Sequence, residues 1–109
     1  MKSLSVTVTE FVDSSSYPGW VRAVFKDVNG KEWSIVDKTV YFDVYETLQP
    51  DVIYPQSARI ECHIIGERLD QNNRQIFTID ISAPFLLEAE DGTTIFDIYS
   101  ELIEDCESA

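Results

Sequence analysis

Positive charge is scarce in this chain. Eight Lys and Arg face twenty Asp and Glu, a formal net charge of −12 over 109 residues. None of the eight lies beyond Arg74. Residues 1–74 hold eleven acids and all eight bases, net −3, and residues 75–109 hold nine acids and no base, net −9. Binding to nucleic acid needs Lys and Arg to displace counterions from phosphate, so no nucleic-acid partner is expected. An anionic membrane surface is disfavoured on the same ground, so no membrane partner is expected. A basic protein partner fits the charge, and so does simple solubility.

Other absences narrow the field further. The two cysteines, Cys62 and Cys106, are too few for a disulfide scaffold at this length. A reduced, cytoplasmic protein is the expectation, and whether the two pair is open. No apolar run approaches the ~20 residues of a spanning helix. The N-terminus alternates from Ser3 to Thr9 instead of forming an apolar leader, so no secretory signal is expected. The four glycines are scattered among turns and form no phosphate cradle.

Catalytic and metal-binding constellations are equally thin. His63 is the only histidine, and it sits beside Cys62 in an alternating run, so the two side chains point to opposite faces. No Cys-x-x-Cys or His-x-x-x-His spacing offers a zinc site. Glu88-Ala89-Glu90-Asp91-Gly92 is acidic but lacks the spacing of a calcium loop. No catalytic residue, metal or cofactor is assigned, and an enzyme is the less favoured reading.

What the chain does contain is period-two alternation. Leu4, Val6 and Val8 share one face of a first strand, with Ser5, Thr7 and Thr9 on the other. Val21, Ala23 and Phe25 lead into Asp27-Val28-Asn29-Gly30, whose Asn-Gly pair marks a hairpin, and Trp33 and Ile35 return. Thr39–Tyr45 reads as a further strand with Val40, Phe42 and Val44 inward. Residues 46–56 form the longest irregular connection. Ala58–Leu69 is the longest strand, with a bulge expected near Gly66. Arg74–Ser82 returns with Phe77, Ile79 and Ile81 inward. Glu90-Asp91-Gly92 suggests a third hairpin between residues 85–89 and 93–98.

Seven or eight strands predict an all-β fold, a small antiparallel β-barrel with a two-sheet β-sandwich as the alternative. Residues 1–99 form one β domain on this reading. Residues 100–109 are an acidic C-terminal tail or a short helix capped by Ser100.

Phe25–Lys38, Tyr54-Pro55-Gln56 with Ile60-Glu61-Cys62, and Thr78-Ile79-Asp80 running to Pro84 resemble a loose group of small bacterial all-β proteins without an assigned activity. The similarity spans roughly residues 20–98. Lys31 stands where that group usually has Arg. The resemblance implies a bacterial, cytoplasmic protein and carries no site residue.

The candidate function is therefore a non-catalytic protein-binding module, in its narrowest form an acidic inhibitor or immunity-type protein for a basic partner. The alternatives are a small-ligand-binding barrel or enzyme, and a subunit of a larger assembly. The candidate surface combines aromatic residues, since Tyr and Trp anchor interfaces at low entropic cost, with the C-terminal acids. It comprises Trp20, Tyr41, Tyr45, Tyr54, Glu88, Glu90, Asp91, Glu101, Glu104 and Asp105.

Overall fold

A computed structural model of the chain describes residues 2–15 and 18–105, with the backbone alone at Tyr45. Seven strands account for most of it: β1 (Lys2–Asp13), β2 (Trp20–Lys26), β3 (Glu32–Lys38), β4 (Gln56–Leu69), β5 (Gln75–Asp80), β6 (Ile95–Tyr99) and β7 (Ile103–Asp105). They form an antiparallel sheet in the order β3-β2-β1-β4-β5-β6, with β7 on β1, curled into a half-barrel. The all-β expectation holds at this level.

The alternation sets which face is buried. Leu4, Val6 and Val8 of β1, Val21, Ala23 and Phe25 of β2, Ile35 of β3, and Ala58, Ile60 and Cys62 of β4 all point into one core. Phe96 of β6 closes it, meeting Phe25 edge-on at 5.0 Å and Trp33 at 4.9 Å between ring centroids. Such edge-to-face pairs add stability beyond their buried area. The bulge expected in β4 lies between Ile64 and Gly66.

Three turns share one build. In each, the first residue's N–H donates to the carbonyl of the fifth, and the fourth residue's N–H donates to the carbonyl of the first. The pairs are Asp27–Lys31 with Gly30–Asp27, Asp70–Arg74 with Asn73–Asp70, and Ala89–Thr93 with Gly92–Ala89. The fourth residue has positive φ each time: Gly30 at 77°, Asn73 at 61° and Gly92 at 92°. This is a three-residue loop ending in a left-handed residue, whose twist suits antiparallel strands. The β2–β3 turn thus uses only the Gly of its Asn-Gly pair at positive φ.

Three sequence expectations are corrected. Thr39–Tyr45 is not a strand. Residues 39–47 hold two short 3-10 turns, Thr39–Tyr41 and Tyr45–Thr47, and Val40 is exposed while Phe42 is buried. The buried Thr39 and Phe42 are three residues apart, the period of a 3-10 turn. Thr39 is tied to Pro18 and Gly19 carbonyls, and the Asp43 N–H donates to the Arg59 carbonyl, so the segment caps an edge of β4 without a ladder.

The third hairpin forms its turn but not its first strand. Pro84 has no N–H to give a ladder, and Leu86 adopts φ 59°, so residues 85–89 cannot run extended. The loop instead buries Leu87 and Ala89, and the Glu90 N–H donates to the Ser34 carbonyl on the outer edge of β3. The C-terminal segment, expected as a tail or a short helix, is through residue 105 a short helix of 3-10 type followed by a strand. Ser100–Leu102 makes one 3-10 turn, and β7 pairs with Lys2–Leu4 of β1. Leu102 and Ile103 pack against the core, which draws this segment onto the open edge of β1. Residues 106–109, including Cys106 and Glu107, lie outside the described residues.

Candidate functional site: a groove on the outer face of the sheet

Ser3, Ser5 and Thr7 of β1 point away from the core. Across β4 they face Glu61, Arg59 and Ser57 respectively. This face reads as solvent in the sequence, yet Ser3 is only 1% exposed. Its hydroxyl lies 3.5 Å from the Glu104 carbonyl of β7.

The pairing of β1 explains a recess here. On one edge β1 pairs with β7 up to Leu4 and with β2 only from Thr7 onward. Among the described residues, Ser5 and Val6 therefore pair with no strand on that edge. The gap, floored by small hydroxyl side chains, opens a groove of about 700 Å³. Lys26 and Glu32 from the β2–β3 hairpin, Leu102 and Glu104 line its other parts. A second depression of about 230 Å³ adjoins it, walled by Val40, Tyr41 and Phe85 with Ser3 and Glu61 at its polar side. Both depressions are lined by Asp43 and Arg59, so they adjoin on either side of that pair and are treated together as one recess.

Arg59 is the hub of that recess. Its Nε donates to Asp43 Oδ2 at 2.9 Å, and its Nη1 donates to Glu104 Oε2. Asp43 Oδ1 also accepts the Arg59 backbone N–H at 2.7 Å. Three separated segments, the 3-10 region, β4 and β7, are thereby fixed around one guanidinium. Four carboxylates (Glu32, Asp43, Glu61, Glu104) and two cations (Lys26, Arg59) line the recess, so it is net negative by two charges.

The other acids of the last third are largely answered by cations from the first two thirds. Lys2 pairs with Asp105 at 2.8 Å, Arg74 with Glu101 at 2.6 Å and Arg68 with Asp97 at 3.2 Å. Glu90 accepts from the Ser34 hydroxyl and from Arg22, and these contacts hold its carboxyl below the usual range. Asp91 accepts the Thr93 N–H, which lowers its carboxyl likewise. Antiparallel pairing brings basic and acidic stretches of the chain together, so charge segregated along the sequence is intermixed in space.

Of the ten residues proposed from sequence, Tyr41 and Glu104 line the recess. Trp20 begins β2, half-buried, with Lys38 Nζ 6.0 Å from its ring. The Tyr54 hydroxyl donates to the Gln49 carbonyl at 2.7 Å, and burial raises its phenol above the ordinary value. Glu88, Glu90, Asp91, Glu101 and Asp105 are exposed away from the recess lining, and the Tyr45 side chain lies outside the described residues. Sequence reasoning missed Asp43, Arg59 and Glu61. No local signal marks them, because the small hydroxyl residues on the same face of β1 read as an ordinary solvent face.

Among the described residues no nucleophile is hydrogen-bonded to His63. The imidazole is exposed and lies across from Asp80, but the Ser82 hydroxyl donates to Asp80 Oδ1 at 2.7 Å. That bond, with the Ser82 N–H, holds the Asp80 carboxyl low. Among the described residues no His, Cys, Asp and Glu group of three or more could hold a metal ion. No helix among them is long and apolar enough to cross a membrane. Comparison with protein-family models, curated proteins and solved structures finds no match for this chain.

Proposed function

We propose that the protein is a non-catalytic binding module that seats part of a partner protein in the outer-face groove. The observation that carries this reading is the adjacency of the two depressions at the Asp43–Arg59 pair. A rigid sheet forms the floor, and the Arg59 network pre-orders the walls, which lowers the entropic cost of binding. The excess of carboxylates favours a partner that is basic at the contact, in keeping with an inhibitor- or immunity-type role. The scattered acids outside the groove serve solubility and the fold. A second reading is a small ligand in the larger depression, whose volume falls within the range of small-molecule sites.

Thr7→Trp tests the reading. Thr7 is exposed and lines the groove, so the indole fills the recess without entering the core. In a pull-down from native extract, the variant is expected to lose a partner that the parent chain retains. The joint neutralisation of Glu88, Asp91 and Glu101 is expected to leave that partner bound. Retention by Thr7→Trp with loss on neutralising the three acids would replace the groove with a diffuse acidic surface.

A further inference from the structure

The smaller depression has the dimensions and chemistry of a side-chain pocket. Its volume is about 230 Å³. Val40 is 41% and Phe85 38% exposed, so apolar surface faces outward here. Tyr41 and Phe85 stack with centroids 5.2 Å apart and planes at 28°, so each ring keeps one face that the other does not cover. Two carboxylates, Asp43 and Glu61, and the cation Arg59 line the same depression. Asp43 is engaged by Arg59, whose second carboxylate partner is Glu104. Glu61 makes no ion pair among the described residues, and it lines the same depression.

An apolar wall, an aromatic face and an unclaimed carboxylate match one side-chain type. An arginine covers apolar surface with its methylene stem and keeps its charged head for the acid. Its planar guanidinium stacks on aromatic rings and forks onto a carboxylate. Lysine shares the stem and charge but is a more strongly hydrated point charge, so it fits less well. An acidic or purely apolar side chain would leave Glu61 repelled or desolvated without a partner.

We infer that the depression formed by Val40, Tyr41, Phe85 and Glu61 is a specificity pocket for a single arginine side chain of a partner protein. This rests on the groove reading: the partner's backbone lies along the larger depression, and the arginine turns in beside Phe85. The pocket then supplies selectivity, while the groove supplies area.

The test is a titration of the full-length, ¹⁵N-labelled chain with three short peptides followed by NMR. They are Gly/Ser-rich and identical except for a central arginine, lysine or citrulline, the last being a neutral isostere of arginine. The arginine peptide is expected to shift the amides of Ser3, Asp43, Glu61 and Phe85. Lysine is expected to bind several-fold more weakly, and citrulline to lose about ten-fold or more. Glu61→Gln, an exchange at a surface-facing strand position, is expected to weaken the arginine peptide about three- to ten-fold. Glu101→Gln, which lies outside the recess, is expected to change nothing. Raising salt from about 150 to about 500 mM is expected to weaken binding. Equal binding of arginine and citrulline, or shifts confined to residues outside the depression, would overturn the pocket. Free arginine binding as tightly as the peptide would assign the pocket to a small guanidinium ligand and overturn the protein-partner claim. If the arginine peptide fails while Thr7→Trp still abolishes partner capture, the pocket assignment falls and the groove reading stands. If Thr7→Trp captures the partner normally, the groove reading itself falls.

Discussion

Asp27 and Asp70 hold the same position in two turns forty-three residues apart, and each carboxylate ties its turn to an aromatic residue on a strand. Asp27 Oδ1 accepts the N–H groups of Asn29 and Lys31, and Asp70 Oδ1 accepts those of Asn72 and Arg74. Asp27 Oδ2 then accepts from Trp33 Nε1 at 2.9 Å, and Asp70 Oδ2 from the Tyr99 hydroxyl at 3.5 Å. A cation caps each ring: Lys31 Nζ lies 3.9 Å from the Trp33 centroid and Arg74 Cζ 3.6 Å from that of Tyr99. The two hairpins are thus closed by one device.

The shorter bond makes the Asp27 device the stronger of the two. Asp27→Ala strands a part-buried indole N–H and removes both turn bonds, so a loss of about 1–3 kcal/mol is expected in urea unfolding. Asp70→Ala is expected to cost less, because the Tyr99 contact is long. A larger loss at Asp70 than at Asp27 would contradict the ranking.

Core closure depends on Phe96, which is 3% exposed and contacts Phe25 and Trp33 edge-on. Phe96→Ala is expected to cost about 3–5 kcal/mol by denaturant titration, through lost transfer energy and a residual cavity. Phe85→Ala removes a ring from the surface stack and is expected to cost much less.

Acid should destabilise the fold through several carboxylates at once. The Ser82 hydroxyl lowers Asp80, the Thr78 hydroxyl and then Arg68 lower Asp97, and the Arg74 N–H lowers Asp70. Each folded value lies below its unfolded one, so each contribution is fully present above the unfolded value, about pH 4. It is lost as pH falls through the lowered folded value. Asp37 acts in the opposite sense, since burial raises it, and its contribution falls as pH rises from the unfolded value through the raised folded one. Unfolding midpoints measured from pH 6 down to about pH 2 should fall below about pH 4, and Asp97→Asn should flatten that fall.

Removing β7 should damage the groove before the core. A chain ending at Leu102 loses the Glu104 and Asp105 ion pairs and uncovers the Lys2–Leu4 edge. Faster amide exchange at Lys2–Leu4 is expected, with Val21, Ile35 and Ile79 still protected. Uniform loss of protection would show that β7 belongs to the global folding unit.

How far the sequence revealed this depends on distance along the chain. Alternation places Leu4, Val6, Val8, Ala23, Phe25 and Ile79 inside, because strand periodicity is local. The bulge near Gly66 and the three turns are equally local. Phe42 is inward as its spacing predicts, but Val40 is not, because a 3-10 turn and a strand share short stretches of apolar spacing, and only the Thr39 and Asp43 backbone partners decide between them. The groove was illegible for a different reason. Ser3, Ser5 and Thr7 look like any solvent face until β7, about a hundred residues away, is known to stop at Leu4. Arg59 likewise shows its role only once Asp43 and Glu104 converge on it.

The central claim is that partners occupy the outer-face groove. A photo-crosslinking residue placed at Ser57, exposed on the groove wall, and separately at Gln71, exposed in the β4–β5 turn, tests it in growing cells. A discrete adduct from position 57, absent from position 71 and suppressed by Thr7→Trp, is the predicted result. The same adduct from position 71, with none from position 57, would contradict the claim.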